Sequence, residues 1–195
     1  MAENGVGRPE KLVVIGGSTG SIDVLLSVLP MVQVPLTGAA IVIVVHRKNT
    51  ADSALSAVLA LRTSLPVHEV DDKDLVQPGH IYLAPADYHL LFEHDGTFSL
   101  DDSEKINYSR PSIDVTFESA ADVYGPAVVG IILSGANADG TEGFRAIKQA
   151  GGILVAQRPD TAQVGYMPNQ AILHTPVDHI LSIEQIGAFI NGGKG

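Results

Sequence analysis

Five stretches of the chain are apolar at nearly every position: residues 12–15, 40–45, 81–84, 127–133 and 153–156. They do not alternate with polar residues, so they predict strands buried on both faces, as in a mostly parallel sheet lying between layers of helices. Between these runs the apolar period lengthens. Residues 21–29 set Ile22, Leu25, Leu26 and Leu29 on one helical face, and residues 52–61 do the same with Leu55, Val58 and Leu59. Pro111 and Ser112 open a third helix with the stripe Ile113, Phe117, Ala120 and Tyr124, stopped by Gly125-Pro126. A fourth begins near Asp139, turns Phe144 and Ile147 inward and ends at Gly151-Gly152. The alternation predicts an α/β fold with a doubly wound, mostly parallel sheet flanked by helices. One segment departs from it: residues 89–100, HLLFEHDGTFSL, carry two strand-like arms around Asp95-Gly96, which predicts an antiparallel β-hairpin. Residues 1–10 and the closing NGGKG read as loose tails, which leaves 11–191 as a single domain.

Composition agrees with one core: 195 residues, 45% hydrophobic and 17% charged, are enough to bury it. No apolar run reaches the roughly 20 residues of a spanning helix, and the start MAENGVGRPE lacks the basic-then-apolar pattern of a signal peptide. The cytoplasm is therefore the expected compartment, without membrane insertion. The absence of cysteine excludes disulfides, thiolate metal sites and a cysteine nucleophile. A net charge of −10 argues against nucleic acid as a partner, because phosphate neutralisation needs clustered Lys and Arg. The seven histidines include no H-E-x-x-H. The pairs His89/His94 and His174/His179 are spaced so that their members fall on different faces, so they read as surface or structural histidines. No metal or other cofactor is expected.

The candidate chemistry lies at strand ends, since open parallel sheets gather functional groups beyond their carboxyl edge. The first run enters GGSTGS, the second ends at Val45-His46-Arg47, and the fourth ends at the stretch from Ser134 to Gly140, SGANADG. Ser18, His46 and Asp139 can therefore meet in space. A serine hydroxyl attacks only when an imidazole takes its proton, and that imidazole works best when a carboxylate fixes its tautomer. Backbone N–H groups at a helix start and at Gly135-Ala136 could hold the oxyanion. Each group also has a plainer role: the glycine-rich turn as a phosphate cradle, His46 as a hydrogen-bonded histidine at the edge of the core, Asp139 as an N-cap. Residues 16–20 match G-x-S-x-G, but the order Ser, His, Asp is foreign to α/β-hydrolases, which run Ser, acid, His. The dinucleotide fingerprint is not met, and His46-Arg47-Lys48 stands where a ribose-binding acid belongs, although a basic residue there could take a 2′-phosphate. Nucleotide or phosphate binding stays open beside nucleophilic catalysis.

Taken together, IGGSTGS, VVHR, LAPADYH, RPSIDVTF, IILSGANADGTEG and GYMPNQAI resemble the catalytic domain of the chemotaxis receptor methylesterases, CheB, in that family's order from about Leu12 to Ile190. The resemblance implies hydrolysis of glutamate methyl esters on the cytoplasmic helices of chemoreceptors, with release of methanol, and deamidation of receptor glutamines. By motif, Ser18 is the nucleophile, His46 the general base and Asp139 its orienting acid. Thr19 and Ala136 lie at the oxyanion site, and His89, Arg110 and Met167 border the cleft. The chain departs from the family at Val45, Arg47-Lys48, Ala136 and Ser109, which bears on rim contacts and substrate choice. A catalytically silent module that binds receptor or scaffold is therefore an alternative. The family's phospho-receiver domain has no counterpart in the ten residues before the first strand. That is expected either of a stand-alone esterase, controlled by a separate receiver or kinase protein, or of a domain cut from a larger protein. Methyl-accepting helices are acidic like this chain, and a basic patch of Arg47, Lys48 and Arg110 is expected to offset the repulsion.

Overall fold

In the computed structural model, which describes residues 7–47 and 54–192, the five apolar runs become strands β1 (Lys11–Gly17), β2 (Ala39–Val45), β4 (Ile81–Leu83), β7 (Val128–Ile132) and β8 (Ile153–Gln157). Two shorter strands, β3 (Val67–Glu69) and β9 (His179–Leu181), complete a seven-stranded sheet of order β3-β4-β2-β1-β7-β8-β9. Every pairing in it is parallel. The chain builds outward from β1 through β2 and then restarts on the other side with β7, so the sheet reverses direction at β1. β5 (His89–Phe92) and β6 (Phe98–Asp101) form the expected antiparallel hairpin as a separate two-stranded sheet.

Successive residues of the central strands point to opposite faces, and both faces are covered. Leu12, Val14, Val42 and Val44 meet α3 (Ile113–Tyr124), α4 (Thr141–Gln149), α5 (Tyr166–His174) and the hairpin. Val13, Ile15, Ile41 and Ile43 meet α1 (Ser21–Val28), α2 (Leu55–Ala60) and α6 (Ile183–Ile190). All four residues of the predicted α3 stripe are buried, as are Phe144 and Ile147 of α4.

Some expectations need correction. The inner face of α1 is centred on Val24, Leu25 and Val28, leaving Ile22 and Leu26 half-buried, because Ser21 and Val24 turn toward the sheet. Val58 in α2 is 40% exposed, since only Leu55 and Leu59 reach the core; residues 52 and 53 of the predicted helix lie outside the described residues. Residues 7–10 of the expected tail are held in place. The Arg8 guanidinium sits 4.0 Å over the Tyr124 ring and donates to the Val123 carbonyl, and the Glu10 N–H donates to Gly38 O at 2.8 Å. Residues 1–6 and 193–195 of the predicted tails lie outside the described residues.

Candidate active site

The three candidate side chains are carried on neighbouring strands whose carboxyl ends are tied together by backbone. In the β1–β2 register Gly17 faces Val45, and the next N–H, that of His46, donates to Gly17 O at 3.1 Å. Ser18 N–H donates to Ser134 O at 2.9 Å just beyond β7. Ser134 Oγ donates to Thr19 O at 2.6 Å, so the loop after β7 is fastened to the loop after β1. The glycines of GGSTGS make room for this junction. A Cβ on Gly16 would come within 2.5 Å of Ile113 Cγ2, and one on Gly17 within 2.4 Å of Ser21 Cβ. They let the starts of α3 and α1 approach the end of β1. Ser18 is half-buried, and its Oγ makes no hydrogen bond among the described residues.

His46 and Asp139 are joined by a short contact, His46 Nε2 to Asp139 Oδ2 at 2.6 Å. The carboxylate is fully buried, whereas the imidazole is 12% exposed. Asp139 does not cap its own helix: Gly140 is the N-cap of α4. Its oxygens instead face the start of α3. Oδ2 accepts from Ile113 N–H at 2.7 Å, and Oδ1 accepts from Asp114 N–H at 2.9 Å and Ser112 Oγ at 3.2 Å. Helix N-termini carry unsatisfied N–H groups and favour negative charge, so α3 holds this carboxylate ionised. Burial acts to raise its pKa, but the hydrogen bonds from His46, Asp114 and Ile113 outweigh burial and hold it below the usual carboxylate value.

With Nε2 committed to Asp139, the open face of the imidazole is Nδ1. Two long contacts reach it, Asn137 Nδ2 at 3.4 Å and Ser109 Oγ at 3.5 Å. Asn137 also accepts the Asp139 N–H through Oδ1 at 3.1 Å. Asn137, Ser112 and Asp114 were not singled out by sequence; the only hint was Pro-Ser opening a helix, which places N–H donors without saying what they hold. Thr19 and Ala136 are exposed, and among the described residues neither N–H donates to a partner, so both are available to a negative oxygen.

The remaining predicted residues lie beneath or beside this surface. His89 is 1% exposed; its Nδ1 accepts from Ser112 N–H at 3.1 Å and its Nε2 donates to Glu104 O at 2.9 Å, so it braces the entry to α3 from beneath the surface. Met167 is wholly buried and packs on Gly135, where a Cβ would come within 2.6 Å of its Cε, so it supports the Gly135-Ala136 loop from below. Arg110 Nη1 donates to the carbonyls of Asp102 and Ser103 at 2.7 and 2.8 Å. Arg47 has a side chain only 3% exposed and donates to Glu69 Oε2 at 2.8 Å and Ala84 O at 2.9 Å. The expected basic patch is therefore not presented by these two arginines, whose guanidinium groups are turned to protein acceptors; Lys48 lies outside the described residues. Among the described residues no group of His, Asp and Glu could hold a metal ion, and no helix is long and apolar enough to cross a membrane.

The family model described as CheB methylesterase matches residues 13–190. A Leptospira interrogans protein provisionally named protein-glutamate methylesterase/protein-glutamine glutaminase is 42% identical over 174 residues, covering 89% of this chain and 90% of the relative. Proteins named protein-glutamate methylesterase/protein-glutamine glutaminase from Thermotoga maritima and Salmonella typhimurium are 37% and 34% identical, covering 90% and 91% of this chain. The match takes in 52% and 51% of those two proteins, so the chain spans about half their length. The crystal structure of the Thermotoga maritima CheB methylesterase catalytic domain superposes with a TM-score of 0.89 at 34% identity, covering 93% of this chain and 97% of that one.

Proposed function

Because the chain belongs to the CheB methylesterase family, we infer that it is a protein-glutamate methylesterase of chemotaxis signalling, hydrolysing glutamate methyl esters on the cytoplasmic helices of chemoreceptors. Glutamine deamidation at the same residues is its second activity. The reaction takes place in the cytoplasm, where those helices lie. Ser18 is the nucleophile, His46 the general base and Asp139 the group that orients His46.

The observation that supports this reading most is the 2.6 Å contact between His46 Nε2 and buried Asp139, made at the strand end adjoining Ser18. It keeps the proton on Nε2 and leaves the lone pair of Nδ1 to accept one. Ser18 Oγ attacks the ester carbonyl as its proton passes to Nδ1, displacing the long contacts from Ser109 and Asn137. The tetrahedral oxygen takes up the free N–H groups of Thr19 and Ala136. His46 then returns the proton to the departing methoxide oxygen and methanol leaves. Water, activated by the same Nδ1, cleaves the acyl-enzyme and restores the Ser18 hydroxyl with a free glutamate. For a glutamine substrate the group that leaves with the proton is ammonia.

Methanol release from a methylated receptor tests the assignment. Ser18→Ala removes the nucleophile from a half-buried loop without touching the core, so turnover falls to background while the thermal transition stays near that of the parent. Undiminished turnover would overturn the assignment.

A further inference from the structure

The carboxylate of Asp114 has no part in the reaction just described, yet it is nearly closed to solvent, at 6% exposure, and faces the segment that carries Asp139. Its Oδ1 accepts from Gly140 N–H at 2.9 Å and from Gly143 N–H at 2.8 Å. α4 begins at a glycine N-cap that has no side chain to satisfy its first N–H groups. Asp114, from the first turn of α3, supplies the missing acceptor. The relation is reciprocal, since Asp139, next to the start of α4, accepts the N–H groups of Ile113 and Asp114 at the start of α3. Two helices thus cap each other through a crossed pair of carboxylates, and one of the pair also holds His46.

The backbone is shaped for this exchange. Gly140 has φ of +97°, in the left-handed region, and a Cβ there would come within 2.9 Å of Ile132 and 3.0 Å of Ile113. Gly143 brings α4 against α3 so closely that a Cβ would lie 2.5 Å from Phe117 Cβ. The hydrogen bond from Gly140 to Asp114 fixes the residue directly after Asp139, and the Asp114 N–H fixes Asp139 Oδ1. Asp139 is therefore gripped at its carboxylate and at the following peptide by the same residue.

We propose that Asp114 is a positioning residue of the esterase reaction, setting Asp139, and through it the His46 imidazole, in working register. It touches neither substrate nor His46. Its carboxyl is suited to the task because burial and the neighbouring Asp139 charge raise it to about 7, against the pull of the Gly143 and Gly140 hydrogen bonds. The two shifts run in opposite directions, Asp114 upward and Asp139 downward, which favours the negative charge on Asp139, where the imidazolium needs it. The other charged or titratable groups around the recess of about 410 Å³ that Asp114 lines are Glu142, Arg145 and His174.

The inference rests on the esterase reading, so its test includes a measurement that needs no turnover. Asp114→Ala and Asp114→Asn are compared with the parent by methanol release and by the low-field proton resonance of the His46–Asp139 hydrogen bond. The Asn oxygen still accepts from Gly140 and Gly143, so kcat and the resonance survive in Asp114→Asn. In Asp114→Ala the resonance is lost and kcat falls by about tenfold or more with KM unchanged, as expected of a misplaced general base. Should Asp114→Ala not fold, Asp114→Ser, whose short side chain cannot serve both N–H groups, takes its place under the same criteria. An alanine or serine variant that keeps both kcat and the resonance overturns the proposal, and so does an asparagine variant as impaired as alanine. Failure of the esterase reading shows separately, as turnover that survives Ser18→Ala.

Discussion

Asp139 accepts four hydrogen bonds on two oxygens, and each oxygen has a backbone N–H from α3 and one side chain pointing at it. An asparagine has a single acceptor oxygen, so in Asp139→Asn the amide nitrogen must face either Ile113 and His46 or Asp114 and Ser112. Facing His46 it donates to Nε2, forces the ring proton onto Nδ1 and leaves Ser18 without a base. The expected loss in kcat is roughly 10⁴-fold, as when the acid of a serine triad is replaced by its amide, and a stopped assay of methanol release is sensitive enough to measure it. Acid affects the same residue in a second way. The folded pKa of Asp139 lies below its ordinary value, so its stabilisation is complete above the ordinary carboxylate range and is lost as pH falls through the lowered value. The meeting of His46 and Asp139 beside the Ser18 loop was legible in sequence because each of these residues follows an apolar run, and strand ends of a parallel sheet converge. Ser112 and Asp114 were not, because what they do depends on two helix starts meeting, and Asn137 was not, because its contacts with His46 and the Asp139 N–H are set by the path of the loop after β7; no local pattern records either.

At the scale of elements, the start of α3 is both a structural joint and part of the site, so disturbances there should cost activity beyond what they cost in stability. Gly16→Ala tests this. Its Cβ would meet Ile113 Cγ2 at 2.5 Å and push away the turn whose N–H groups hold Asp139. Overpacking of this kind destabilises by about 1–3 kcal/mol. The expected result is a folded variant with a lowered urea midpoint, whose kcat at low urea has dropped further than its small unfolded fraction explains. The α3–α4 joint also titrates. Asp114 has a folded pKa raised to about 7, so its contribution is present below the unfolded carboxylate value of about 4 and is lost as pH rises through about 7. Urea midpoints measured across that window should fall with rising pH in the parent and run flatter in Asp114→Asn. The central strands and α3 were readable because each carries an unbroken apolar run or stripe. β3 and β9 were missed because they are short edge strands, VHE and HIL, whose exposed positions break up any apolar run. α6 was missed although Ser182 and Gln185 form a capping box at its start, and α5 because Pro168 in its first turn looks like a breaker.

For the whole molecule, charge is the property that the structure changes most. The chain carries −10, and the substrate helices proposed for it are acidic. The expected remedy was a basic patch, but the Arg47 guanidinium is bound to Glu69 and to the Ala84 carbonyl and that of Arg110 to the carbonyls of Asp102 and Ser103. Both arginines brace loops at the rim of the site, a use that a sequence cannot distinguish from a surface charge. Encounter between enzyme and receptor is then opposed by like charge, and salt should help it. The screening length shrinks from about 30 Å at 0.01 M to about 8 Å at 0.15 M salt, which leaves short contacts in the complex largely intact while removing repulsion at a distance. The expected outcome is that kcat/KM for methanol release from methylated receptor rises over that range, whereas hydrolysis of a small neutral ester by Ser18 is flat. The neutral ester controls for any effect of salt on the His46–Asp139 pair, so the difference between the two substrates reads the encounter alone. A kcat/KM for receptor that falls with salt would mean that attraction governs the encounter, and would restore a basic docking patch through residues such as Lys48.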